Sequence, residues 1–105
     1  MSWTTVYIKG LSDFREEVLR KLEHSDIDFL PGYTATSSAT GTNDMYWVDE
    51  KVDIRNFKAA IGAKLIWKYR LRFFTTLEAF LESEKNDRLK FIGQEQEAES
   101  DAEAA

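Results

Sequence analysis

Apolar and polar positions alternate over two stretches of the chain, and a side-chain period of two is typical of a β-strand. The first stretch, Trp3–Lys9, is rich in β-branched and aromatic residues and is followed by Gly10. The second, Lys64–Phe74, has one face that is apolar or aromatic throughout. The centre of its other face carries three bases in succession, Lys68, Arg70 and Arg72. Burial of the apolar face against helices would turn these cations outward.

Two weaker apolar runs predict a hairpin between those strands. Ile27–Thr36 contains Pro31, and because proline lacks the amide that a central strand donates, we expect this strand at a sheet edge or with a bulge. Met45–Val48 predicts a buried central strand, with Trp47 in the core. The small polar residues 37–43 between the two runs predict a flexible hairpin loop.

Helical spacing of apolar residues, combined with capping residues, predicts three helices. The first begins at Asp13, the second runs from Asp53 to Gly62, and a short third helix begins at Thr75. The apolar stripes are Phe14, Val18 and Leu22 in the first, Ile54, Phe57 and Ile61 in the second, and Leu77, Phe80 and Leu81 in the third. Residues 88–92 predict a short terminal strand.

This order of elements predicts an α+β protein with the ferredoxin-like βαββαβ two-layer sandwich and an extra C-terminal helix. In that arrangement strands one and three are central, strands two and four are at the edges, and both main helices cover one sheet face. We expect a single globular domain over residues 1–93. The other sheet face stays open unless the C-terminal segment folds across it.

Charge is unevenly distributed along the 105 residues, which include 14 Lys or Arg and 19 Asp or Glu, for a net charge of −5. Residues 94–105 hold five acids, no base and no large apolar residue. We therefore expect 94–105 to be a disordered acidic tail. The remainder of the chain is neutral in sum, so the acidic balance does not exclude nucleic acid as a partner.

Candidate chemistry is sparse. There is no cysteine, which excludes disulfides, thiol nucleophiles and cysteine-based zinc sites. The one histidine, His24, falls at a predicted helix end, where a structural role is expected. We find no phosphate-binding loop, metal-ligand spacing or apolar run that could span a membrane. The sequence predicts a cytoplasmic protein that is not an enzyme, with no cofactor, no metal and no membrane association.

The sheet face opposite the helices is the predicted binding site, and it would bring aromatic and basic side chains together. Two interpretations stay open. Aromatic and arginine side chains are enriched at protein contacts, so the open face could bind a protein partner or a second copy in a homodimer. Aromatic rings also stack on bases while cations hold phosphates, so the face could bind single-stranded nucleic acid such as RNA. The residues concerned are Trp3, Tyr7, Lys9, Lys68, Arg70 and Arg72.

The run Val6–Leu11 resembles the first-strand motif of the RNA recognition motif family: aliphatic, aromatic, aliphatic, any residue, Gly or Asn, then Leu. The resemblance implies the βαββαβ fold and a base stacked on Tyr7. The family's second motif is a Lys or Arg followed by alternating glycines and aromatics on strand three. Residues 42–48, at that place, contain no base and no glycine.

Overall fold

A computed structural model describes residues 2–37 and 41–89 of the chain. Four strands form one antiparallel sheet: β1 (Trp3–Gly10), β2 (Phe29–Ser37), β3 (Gly41–Asp49) and β4 (Arg72–Phe74). Four helices accompany them: α1 (Arg15–Glu23), α2 (Ile54–Ile61), α3 (Ala63–Tyr69) and α4 (residues 77–89). The predicted α+β class is confirmed.

The strands lie in the order β2-β3-β1-β4, so β1 and β3 are central as predicted. The edge strand β2 contains Pro31, and its pairing with β3 is irregular between Pro31 and Thr34. Proline at an edge with an adjacent irregularity is the arrangement expected from its missing amide. The hairpin is tighter than predicted, because β3 begins at Gly41, inside the stretch interpreted as a loop.

The core lies between the sheet and helices α1 and α2. Alternate residues of β1 and β3 point into it, and the apolar stripes of the two helices meet them, as their spacing predicts. The buried apolar residues are Val6, Ile8, Phe14, Val18, Leu22, Tyr46, Val48, Phe57, Ile61, Leu65 and Leu71.

The first two of the three predicted helix starts carry an aspartate that accepts a hydrogen bond from a nearby backbone amide. The Asp53 side chain accepts a hydrogen bond of 2.9 Å from the Arg55 amide at the start of α2. Asp13 accepts one of 3.2 Å from the Arg15 amide, although α1 itself begins at Arg15. His24 follows the last turn of α1 and donates its amide to the Arg20 carbonyl, so it lies at the helix end as expected.

The prediction of a strand over Lys64–Phe74 is wrong for most of its length. Residues Ala63–Tyr69 form the helix α3, and Arg70 ends it in the left-handed conformation with φ of 53°. Only Arg72–Phe74 pair with β1 as a strand.

The physical reason is that the same residues satisfy a helical period. Leu65, Ile66 and Tyr69 fall on one side of a helix and face the core, while Trp67 is turned out and is 71% exposed. Lysine, leucine and alanine favour the helical backbone, and nothing in the stretch breaks it before Arg70.

The second face of the sheet is partly covered by α4. Of the predicted terminal strand 88–92, residues 88 and 89 are helical. Residues 90–92, the predicted tail 94–105 and positions 38–40 of the predicted loop lie outside the described residues. Within the described ranges, no helix is both long and apolar enough to cross a membrane.

Candidate functional site

Helix α4 is held on the sheet by an aromatic contact near its first turn. The rings of Tyr7 and Phe80 are stacked with centroids 4.9 Å apart and planes at 20°. Phe74 of β4 meets the same Phe80 ring edge-on at 6.1 Å. Such contacts add to the burial of the rings themselves, so Phe80 is the apolar anchor of α4.

Farther along α4, a cluster of charged side chains bonds the helix to the same face of the sheet. The Lys9 ammonium, which is fully buried, lies 2.7 Å from Asp87 Oδ2 and 3.2 Å from Glu84 Oε1. Glu84 Oε1 also accepts 2.7 Å from Asn43 Nδ2 of β3, and Arg72 donates to Asp87. Each charge of this cluster therefore has a partner on the opposing element, as a buried ion pair requires.

The pKa of Asp87 reflects this pairing. Burial alone would raise the pKa, but hydrogen bonds from Arg72 and Lys9 to the charged carboxylate lower it by more. The net effect is a pKa below the ordinary value of the side chain.

The six predicted site residues do not form one surface, and this part of the prediction needs correction. Trp3 is exposed on the sheet, while Tyr7 lies half-buried beneath α4. Lys9 and Arg72 point to the same sheet face but are bonded to α4. The terminal helix thus covers the middle of the sheet face, which is the alternative to an open face that the sequence left possible.

Lys68 and Arg70 do not lie on the sheet, because helix α3 is found where a strand was predicted. The Lys68 ammonium lies 3.2 Å from Glu17 on α1, and the Tyr69 hydroxyl donates to the same carboxylate. These hydrogen bonds, Tyr69's first and then Lys68's, lower the pKa of Glu17. Arg70 lies over the ring of Trp67 at 3.8 Å from its centroid. Lys68 and Tyr69 therefore join α3 to α1, while Arg70 contacts Trp67 of its own helix.

One part of the second sheet face stays uncovered, and it is apolar. Thr5 pairs with Trp47 across β1 and β3, and Leu30 pairs with Trp47 across β2 and β3, so the three side chains form one row. Trp3 lies in the next row, and Tyr33 borders the cleft between β3 and Phe80. We call the exposed residues Trp3, Leu30, Tyr33 and Trp47 the uncovered sheet surface.

Helix α4 also exposes two leucines. Leu77 and Leu81 are one helical turn apart and both are about half exposed. Leu81 lines a shallow cleft together with Asn43 of β3, which places it on the side of the helix nearest β3. Trp47 was expected in the core, but it is 38% exposed here, so that expectation is wrong.

A second apolar feature lies at the end of β1. A groove of about 700 Å³ runs between Leu11, Ile66, Trp67 and Leu71, with Arg70 and Arg72 at its rim. We call it the Trp67 groove. The described residues that line it include three bases and no acid.

A buried carboxylate was missed by the sequence analysis. Asp44 of β3 is 2% exposed and accepts hydrogen bonds from Arg15, from the Tyr46 hydroxyl and, at 3.0 Å, from the Met45 amide. Burial and the bond to Asp44 raise the pKa of Tyr46. The alternation along the strand carries the signal, since Asp44 faces the same side as Tyr46 and Val48, but the predicted strand begins only at Met45.

The described residues contain no cluster of three or more His, Cys, Asp or Glu able to hold a metal ion. No protein-family model, no curated protein and no solved structure matches the chain. The likeness to the RNA recognition motif family therefore remains a prediction that rests on the run Val6–Leu11.

Proposed function

We propose that this protein is a small non-enzymatic assembly module that binds a second copy of itself through the uncovered sheet surface. The observation that carries the proposal is the exposure of two tryptophans, Trp3 at 40% and Trp47 at 38%, on the same face of one sheet. Exposed apolar patches of this kind mark contact sites, and tryptophan is among the residues that contribute most to binding.

The geometry favours face-to-face contact of two sheets. Edge-to-edge pairing through β2 is disfavoured, because Pro31 lacks a donor and the strand is irregular beside it. A two-fold axis through the patch would place Trp47 of one copy against the same surface of the other.

We also infer that the fold is a variant of the ferredoxin-like sandwich. The βαββαβ order and the central position of β1 and β3 support this assignment. The variation lies in α3, which is inserted after α2 and shortens β4, and in α4, which covers part of the face that the simple sandwich leaves open.

Binding of single-stranded nucleic acid is the weaker alternative. It needs cations beside the stacking rings to hold phosphates. Lys9 and Arg72 are bonded to Asp87, and Arg70 lies at the Trp67 groove. The carboxylate of Asp49 is directly opposite Trp3 in the register, which opposes the approach of a phosphate.

The proposal is tested by sedimentation equilibrium over a range of protein concentrations. We expect the wild-type chain to dimerise and Trp47→Glu to remain monomeric, because the new carboxylate would be buried without a partner. Trp67→Glu is the matched control, since Trp67 is a more exposed tryptophan outside the surface, and it should dimerise like wild type.

A monomeric wild-type protein at the highest concentrations, or a Trp47→Glu variant that dimerises normally, contradicts the proposal. Binding of a single-stranded oligonucleotide that is lost in Trp47→Glu and weakens steeply with salt would instead favour the alternative.

A further inference from the structure

The sheet face that includes the uncovered sheet surface has a regular layout, which the strand register defines. Its side chains lie in rows across the sheet: Trp3 with Asp49, then Thr5, Trp47 and Leu30, then Tyr7 with Met45. Successive rows are two residues apart along a strand, or about 7 Å. Trp3 and Tyr7 therefore lie about 14 Å apart, on opposite sides of the row that contains Trp47.

A small pocket opens beside α4 at the Tyr7 row. It has a volume of about 150 Å³, and Tyr7, Tyr33, Met45 and Phe80 are among its lining residues. A cavity of about 150 Å³ holds one benzene ring, whereas sites for small-molecule ligands measure about 300–1,000 Å³. Rings pack well against other rings, edge-on or offset. The pocket, which we call the Tyr33 pocket, therefore fits a single aromatic side chain.

Helix α4 restricts how a second sheet can lie on this face. An α-helix with its side chains is about 10–12 Å across, and packed sheets are about 10 Å apart. A second sheet therefore fits beside α4 and not over it. Along the strand direction, the end of the second sheet that meets α4 is the end with Trp3, because the Tyr7 end carries that copy's own helix.

The Trp3 end of the face is acidic. Asp49 is directly opposite Trp3 in the register, and its amide donates to the Asp28 carbonyl at 3.0 Å. Phe29 packs against the core, so the alternation of the strand turns Asp28 to the same face as Asp49. Two carboxylates thus accompany Trp3 at this end.

These carboxylates distinguish two ways of pairing the sheets. A two-fold axis parallel to the strands would place the acidic end against the acidic end of the second copy, and like charges repel. An axis across the strands places it against α4 instead. There the exposed Lys85 and Glu78 are seven residues apart on one helix face, so their charges balance. Charge therefore favours the axis across the strands.

We propose that the Trp3 indole of each copy enters the Tyr33 pocket of the second copy, about a two-fold axis that runs across the strands near Trp47. This inference rests on the proposed self-association and adds its orientation and its central contact. Because Trp3 and the pocket lie on opposite sides of the Trp47 row, one axis brings both indoles to both pockets.

The first test measures the dissociation constant of the dimer by sedimentation equilibrium. Trp3→Ala removes the inserted ring, and we expect the dissociation constant to rise at least about thirtyfold, as for a residue that anchors an interface. Trp3→Phe keeps a ring and should retain most of the affinity. Trp67→Ala is the matched control, since Trp67 is an exposed tryptophan outside this face, and it should dimerise like wild type.

The results separate this inference from the proposed function. A wild-type chain that stays monomeric at the highest concentrations overturns both. A dimer whose dissociation constant is unchanged in Trp3→Ala overturns the insertion of Trp3 and leaves self-association in place.

The second test keeps Trp3 intact and uses the absence of natural cysteine. A nitroxide is attached to Lys85→Cys in unlabelled chains, and these are mixed with isotope-labelled chains that carry no nitroxide. We expect broadening of the Trp3 indole signal, which is assigned by its loss in Trp3→Phe, and a sharp Trp67 signal. A nitroxide at Asp28→Cys is the matched control and should broaden the Trp3 signal less.

Stronger broadening from Asp28→Cys than from Lys85→Cys would mean that the acidic ends meet, and it would overturn the axis across the strands. A dimer in which neither nitroxide broadens the Trp3 signal would overturn the contact between Trp3 and the Tyr33 pocket.

Discussion

Tyr7 of β1 and Phe80 of α4 are stacked ring on ring at 4.9 Å, and this contact converts an open sheet face into a partly covered one. The pair is separated by most of the chain, so the closure depends on a long-range contact. Because Tyr7 is covered, the exposed aromatic side chains of this sheet face are Trp3, Tyr33 and Trp47.

Loss of the Phe80 ring should destabilise the protein. Phe80→Ala removes the stack with Tyr7 and the edge contact with Phe74, and because the ring is half-buried we expect a cost of about 2–3 kcal/mol. Urea unfolding followed by tryptophan fluorescence measures it. Leu81→Ala is the control, since Leu81 is more than half exposed, and a loss in Phe80→Ala no larger than in this control would contradict the anchoring role.

Removing the Lys9 charge should also lower the free energy of unfolding, for a different reason. Lys9→Met would leave Glu84 and Asp87 facing one another across a largely buried space, and breaking such a pair costs about 3–5 kcal/mol. Removing charge on both sides avoids this repulsion.

We therefore expect Lys9→Met combined with Glu84→Gln to recover part of the loss, a coupling that a double-mutant cycle of unfolding free energies detects. Strict additivity of the two changes would show that the ion pair does not hold α4 on the sheet.

The attachment of α4 should depend on pH through Asp87. Burial raises the pKa of Asp87, but the bonds from Arg72 and Lys9 lower it by more, so the folded pKa lies below the ordinary value of 3.8. The unfolded chain then binds the proton more readily than the folded one. The stabilisation is complete above the ordinary value and is lost as the pH falls through the folded pKa.

We expect the difference in unfolding free energy between wild type and Asp87→Asn to shrink as the pH is lowered from about 5 to about 2. Urea unfolding at a series of pH values measures this difference. A difference in unfolding free energy that stays constant over this pH range would mean that the Asp87 carboxylate is not stabilised by its partners.

Local signals in the sequence were sufficient for much of the fold. The period of two in β1, the proline of β2 and the Asp53 cap of α2 each depend on neighbouring residues, and the structure contains all of them. The central positions of β1 and β3 followed from the order of elements. These features could be predicted because their causes lie within a few residues of one another.

The candidate site could be predicted less well, because its causes are tertiary. The alternation of β3 placed Tyr46 and Trp47 on opposite faces, but whether the face of Trp47 is covered depends on the position of α4. Lys9 and its partner Asp87 are 78 positions apart, and nothing local to either predicts the bond. Of the six expected site residues, Trp3 alone is on the uncovered sheet surface, and its binding role remains a prediction.

The stretch from Lys64 to Phe74 was ambiguous, since its apolar residues satisfy both a strand and a helix period. The deciding residue is Gly62, which separates α2 from α3 with φ of 95° and ψ of 145°. Only glycine adopts this conformation without strain. With the chain redirected there, Leu65 and Tyr69 meet the core as successive turns of a new helix.

Gly62→Ala therefore tests what divides the two helices. A Cβ at this position would meet no atom within 4 Å, so the expected loss of about 1–3 kcal/mol comes from the backbone conformation alone. Urea unfolding measures the loss, and far-ultraviolet circular dichroism should show unchanged helix content. If the variant instead gained helical signal without losing stability, α2 and α3 would have merged, and the turn at Gly62 would not be what places Trp67 and Arg70 at the groove.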